Sequence, residues 1–157
     1  MPQTNNNAIL TSECLQETIK LAELFNIFNE TNKAYNELAS KVGLSYNQMV
    51  ILYYLQSHYN VTQKNIVNDM LIPKQTINTI LNNWINAGYI SFENKLTKKN
   101  KIILLTEFGK KELEPKITFV MDKEAIILER LGDVTKSLVL SNLNYLKIMK
   151  EVIKNEE

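Results

Sequence analysis

Very little in this 157-residue chain is equipped for covalent chemistry. It holds one cysteine, Cys14, and one histidine, His58. A lone cysteine excludes an internal disulfide and fits a reducing compartment, so a cytoplasmic protein is expected. A Ser-His-Asp or Cys-His arrangement would have to use His58, with Cys14 as the thiol, and nothing in the sequence fixes either partner, so no enzyme is expected. The same count excludes a histidine-rich metal site, and no metal ligand or cofactor is assigned. No glycine-rich phosphate loop is present. Four glycines and three prolines leave little room for long loops, which predicts a mostly helical chain. No run of about 18 apolar residues occurs, so no membrane-spanning helix and no membrane partner are expected. The opening MPQTNNNAIL lacks a basic segment followed by an apolar core, so no secretory signal is expected. Residues 1–10 are polar and Asn-rich and are expected to be disordered.

Net charge is also scarce, at +1, but its distribution is uneven. Residues 62–111 hold eight lysines against Asp69, Glu93 and Glu107, a net of +5, which leaves −4 for the remainder. A local basic surface is the expectation.

That basic stretch also carries the clearest pattern. Thr62 is an N-cap type of residue, and Ile66, Val67 and Met70 follow at helical spacing. Pro73 suits the start of a new helix and cannot continue the old one. From Lys74 the apolar residues Ile77, Ile80, Leu81, Trp84 and Ile85 make one face. Lys74, Gln75, Thr76, Asn78, Thr79, Asn82 and Asn83 make the other. Gly88 ends this helix. Residues 89–92 and 101–105 read as two short strands, joined by a loop over residues 93–100. Lys95, Lys98, Lys99 and Lys101 lie in or beside that loop.

Longer helical patterns flank this unit. One covers residues 12–39, with Leu15, Ile19, Ala22, Phe25 and Phe28 on its stripe and Leu21, Leu24 and Ile27 widening it. A helix apolar on more than one side needs two partners. Ser45 is an N-cap candidate for a very apolar helix over residues 46–57, read as the buried first helix of the central lobe. Thr106 caps a helix through Leu131 that contains Pro115, a site for a kink. Gly132 and Asp133 punctuate, and residues 134–154 form a final amphipathic helix.

Helix, tight turn, helix with a polar face, then a basic hairpin is the order of a winged helix-turn-helix. The polar face supplies donors and acceptors of the kind that read base edges in a major groove. A basic hairpin follows phosphates or the minor groove. The predicted fold is mainly α with a small β wing. A winged lobe over residues 43–106 joins a helical dimerisation region over residues 11–42 and 107–157. The three flanking helices carry more apolar surface than one chain buries, which predicts a two-fold homodimer.

At this point the residues resemble the MarR family of transcriptional regulators, over about residues 12–153. The segment INAGYI (85–90) is similar to the family's Leu-x-x-x-Gly-Leu/Tyr-Ile end of the recognition helix. The segment ILLTEFGKKEL (103–113) is similar to its Leu-Thr-x-x-Gly junction between wing and fifth helix. The resemblance implies a dimeric repressor that binds a pseudo-palindromic operator in double-stranded DNA. Its recognition-helix contacts fall on Lys74, Gln75, Thr76, Asn78 and Thr79. Its phosphate-touching helix start falls on Thr62, Gln63 and Lys64, and wing contacts to phosphate on Lys95, Lys98, Lys99 and Lys101. The family's Asp-x-Arg wing tip matches Thr97, Lys98 and Lys99, so the Asp is absent and lysine replaces arginine. Lysine lacks the bidentate fork, so wing readout is expected to be mainly electrostatic.

The resemblance also implies a small aromatic or phenolic ligand that releases DNA. Phe25, Phe28, Tyr35, Tyr46, Met49 and Tyr53 are the candidate walls, against the plainer reading of such a stripe as core. Some members sense peroxide through a first-helix cysteine, a position that falls near Leu21 here, about two turns past Cys14. Cys14 is therefore expected to be redox-inert. Two other readings stay open: a thiol- or metal-controlled sensor of the same fold, and a winged-helix protein-interaction module without DNA binding.

Overall fold

The computed structural model describes residues 12–93 and 101–154, with side chains from residue 19 onward. Six helices and a two-stranded antiparallel sheet follow in the order α1 (Ser12–Lys41), α2 (Tyr46–Ser57), α3 (Gln63–Asp69), α4 (Lys74–Asn86), β1 (Ile90–Glu93), β2 (Ile102–Leu105), α5 (Glu107–Leu131) and α6 (Val134–Lys154). Mainly α with a small β wing is the observed class. Two compact units result, residues 1–51 and residues 52–157.

In the first unit, α1 leaves Ile19, Leu21, Phe25 and Ile27 more than half exposed, while Ala39, Leu44, Met49 and Ile51 are buried. Its apolar stripe is as broad as its composition predicts. The start of α2 is closed by a reciprocal cap. Gln48 N–H donates to Ser45 Oγ at 3.3 Å, and Ser45 N–H donates to Gln48 Oε1 at 2.8 Å. Two donors that the first helical turn would leave unpaired are thus satisfied.

In the second unit, α3, α4, β1, β2 and α5 pack around Ile66, Ile77, Leu81, Trp84, Ile90, Ile102, Leu113 and Ile117, all buried. The strands pair Ile90 with Leu105 and Glu93 with Ile102. A further rung comes from the segment before α3: Ile103 N–H donates to Val61 O at 2.8 Å, beside a Thr62–Ile102 bridge. Val61 and Thr62 therefore tie the wing to the start of α3. Helix α5 runs through Pro115 without interruption.

The join between α4, the wing and α5 explains the two most characteristic sequence segments. Helix α4 ends with Gly88 N–H donating to Ile85 O at 2.9 Å and Tyr89 N–H donating to Trp84 O at 2.8 Å. Gly88 sits at φ +74, the left-handed region that this closure requires. Thr106 Oγ1 then donates to Gly88 O at 2.6 Å and accepts from Gly109 N–H at 2.9 Å. One hydroxyl thus caps α5 and pins it to the end of α4. A Cβ on Gly109 would lie 1.8 Å from Tyr89 O, so only glycine permits this approach.

Candidate nucleic-acid interface

The polar side of α4 is built by the same spacing that buries its other side. Ile77, Ile80, Leu81 and Trp84 are buried in the second unit. Lys74, Gln75 and Thr79 are exposed, and Thr76 and Asn78 half-buried. Asn82 and Asn83 continue the exposed side. All five predicted base-reading positions therefore lie off the core. The first turn of α4 carries no acidic residue, so no carboxylate opposes an approaching phosphate there. Thr79 Oγ1 donates to Gln75 O at 2.9 Å, which orients that hydroxyl along the helix.

Helix α3 meets α4 at one polar contact. Gln63 Nε2 donates to Asn78 Oδ1 across the helix-turn-helix. Lys64, beside it, is exposed. The Thr62 hydroxyl has a local duty: it accepts from Asn65 N–H at 3.3 Å, while Thr62 N–H donates to Asn65 Oδ1 at 2.9 Å. This is a capping box closed by Asn in place of the usual Glu or Gln. Lys101, at the foot of β2, places its Nζ 5.9 Å from the Phe92 ring centroid. The wing residues Lys95, Thr97, Lys98 and Lys99 lie outside the described residues.

A second polar tie holds the rear of the motif. Tyr54 OH, on α2, donates to Asp69 Oδ2 at the end of α3. That bond, followed by burial and the carboxylate's charge, raises the Tyr54 phenol above its ordinary value. His58 stacks on the Tyr54 ring, centroids 4.1 Å apart, and its Nδ1 donates to Tyr54 O at 3.1 Å. The sole histidine thus has a structural place at the end of α2.

No family model matches the chain, and no curated protein matches it. Solved structures do. A MarR family regulator from Neisseria meningitidis superimposes with a TM-score of 0.74 at 23% identity, over 88% of this chain and 99% of that one. MarR of Staphylococcus aureus, in complex with salicylate and kanamycin, gives 0.63 at 20% identity, over 91% and 95%. A MarR family transcriptional regulator from Listeria monocytogenes, complexed with a 26mer DNA, gives 0.60 at 21% identity, over 81% and 85%.

This is the MarR fold.

Within the MarR fold, α3 and α4 form the helix-turn-helix, and β1 and β2 form the wing. The candidate ligand walls divide between the units: Phe25, Phe28, Tyr35, Tyr46 and Met49 belong to the first, Tyr53 to the second. Phe25 is 64% exposed and Met49 only 3%, so the six do not share one environment. Burial pushes the Tyr53 phenol up, and the Glu124 carboxylate on α5, by charge and hydrogen bond, pushes it further. The second unit also carries an open cavity of about 330 Å³, lined by the end of α2, β2 and Lys110 and Glu114 of α5. None of the six predicted wall residues lines it.

Sequence reasoning missed Asn65, the Tyr54–Asp69 bond and the Gln63–Asn78 contact. A threonine followed three residues later by an amide was a visible signal for the first. The other two join residues 15 apart, and no local pattern marks them.

Proposed function

We propose that this chain is a MarR family transcriptional regulator, a repressor that binds a pseudo-palindromic DNA operator as a homodimer in the cytoplasm. The observation that carries this reading is the amphipathic split of α4. Its apolar side completes the core, while Lys74, Gln75, Thr76, Asn78 and Thr79 are left on the other side with amide, hydroxyl and ammonium groups. Such groups on the second helix of a helix-turn-helix pair with base edges in the major groove. Gln75, Thr76, Asn78 and Thr79 read bases, and Lys74 serves bases or phosphate. Lys64, Lys95, Lys98, Lys99 and Lys101 hold phosphates, together with the helix start at Thr62 and Gln63. The Listeria relative in complex with DNA supports the same use of the fold. Functionally, residues 43–106 form the DNA-binding lobe, and residues 11–42 with 107–157 the dimerisation region.

Two protomers then place two copies of α4 in successive major grooves, with half-sites about 10 base pairs apart. Selection of bound sequences from a random duplex pool tests this. Enrichment of an inverted repeat with that spacing is expected, and a pool left unenriched overturns it. For release, we propose a small aromatic anion held by some of Phe25, Phe28, Tyr35, Tyr46, Met49 and Tyr53. The salicylate complex of the Staphylococcus aureus relative supports that ligand class. Salicylate titrated into the protein–operator complex is expected to lower the bound fraction, and an unchanged fraction at millimolar ligand removes the ligand from the account.

A further inference from the structure

We infer that Gln63 is a positioning residue for base readout: it holds the amide of Asn78 in one orientation, so that α3 and α4 read a base pair as a unit. The inference rests on the DNA-binding reading above and deepens it. Its observation is the hydrogen bond from Gln63 Nε2 to Asn78 Oδ1. Both residues are half-buried, between the core and solvent.

The chemistry follows from what each amide has left. Rotation about the last side-chain bond of asparagine is broad and roughly two-fold, so a free Asn78 presents donor and acceptor interchangeably. A donor held against Oδ1 removes that freedom. Asn78 then keeps one Oδ1 lone pair and both Nδ2 protons. That set matches adenine in the major groove, whose N6 donates and whose N7 accepts. Guanine offers two acceptors there and has no proton for Oδ1. The buttressed amide therefore selects adenine, whereas a rotating one tolerates either purine. Gln63 acts on base readout through Asn78, a task beside the phosphate contact proposed for the start of α3.

A plain structural tie between α3 and α4 would make another prediction. Loosening it would weaken binding to every sequence alike. The experiment is therefore a selection from the random duplex pool with five proteins: wild type, Asn78→Ala, Gln63→Ala, Gln63→Glu and the double variant Gln63→Ala/Asn78→Ala. Asn78→Ala identifies the base pair it reads, by flattening the preference there. Gln63→Ala is expected to flatten the preference at that same base pair, lowering affinity for the best site about 10-fold. On scrambled duplex it should lose only the sequence-independent share that a phosphate contact at the start of α3 supplies, so the readout is the base preference at that pair and not the total affinity. Gln63→Glu introduces an acidic residue into the first turn of α3, where the helix dipole favours it, so the helix is retained. Its carboxylate has no proton for Oδ1, so it should lose the same preference with an undiminished Tm. The double variant Gln63→Ala/Asn78→Ala should discriminate at that base pair no worse than Asn78→Ala alone, the non-additivity of two groups acting as one. Independent, multiplying losses would overturn the inference, as would an intact base preference in both Gln63 variants. If folded wild type enriches no motif, the DNA-binding reading falls and this inference falls with it.

Discussion

Gln75 is exposed in the first turn of α4, and its backbone carbonyl accepts from the Thr79 hydroxyl. Replacing it with alanine should cost about 1–3 kcal/mol on the selected operator, with random duplex unaffected. Equal losses on both DNAs, measured by fluorescence anisotropy, would move Gln75 off the base-reading list. Lys64→Ala should instead weaken binding to both DNAs and reduce the salt dependence by about one counterion. An unchanged slope would remove Lys64 from the phosphate contacts. These two positions were legible in the sequence because burial alone sorts them: a 3.6-residue apolar period on one side leaves the polar residues on the other. Gly109 was legible only through its place in a familiar segment. The reason for it is tertiary, since a Cβ there would fall 1.8 Å from the carbonyl of Tyr89, a residue 20 positions earlier. Gly109→Ala should destabilise the protein by about 3 kcal/mol, on the order of 10 °C in Tm, because the start of α5 must separate from the Tyr89 backbone. A Tm within 2 °C or so of wild type would show that the junction yields freely.

At the scale of elements, agreement between sequence and structure follows the range of the signal. Helix α2 begins after Ser45, α4 ends before Gly88 and α5 begins after Thr106, because caps act within four residues. The Val61–Ile103 rung and the Tyr54–Asp69 bond were not legible, since each joins residues whose approach depends on the finished fold. The second of these carries a pH signature. The Tyr54 phenol is raised above 10.0 by its bond to Asp69 first, then by burial and charge. A raised folded-state value means the contribution is complete below the unfolded value of 10.0 and is lost as pH climbs through the higher folded one. Tyr54→Phe should therefore cost about 1–2 kcal/mol at neutral pH. The gap from wild type should hold up to about pH 10 and narrow above it. Urea titrations between pH 7 and 11 check this, and a gap that is constant to pH 11 would exclude the phenol proton as its source.

The whole molecule is left with apolar surface it does not cover. No residue of α6 is buried, and Leu138, Leu140, Leu143, Leu146, Ile148, Val152 and Ile153 are each at least 44% exposed. On α1, Phe25 and Ile27 are at least 60% exposed. Apolar side chains exposed in this number on one helix mark an interface. A second copy of the chain is the simplest cover, because a two-fold axis matches each patch with itself and also generates the paired half-sites of an inverted repeat. Stability should then depend on protomer concentration, with Tm rising as the protein is concentrated. Leu143→Glu puts a charge into the middle of the α6 patch, where an unpaired buried carboxylate is costly. Sedimentation should show wild type as a dimer at micromolar concentration and the variant shifted to monomer. The variant should also lose most of its affinity for the full operator while an isolated half-site binds it as weakly as it binds wild type, since α4 is untouched. Wild type that sediments as a monomer, with Tm independent of concentration, would leave the apolar faces of α1 and α6 without this explanation and the inverted-repeat operator without its cause.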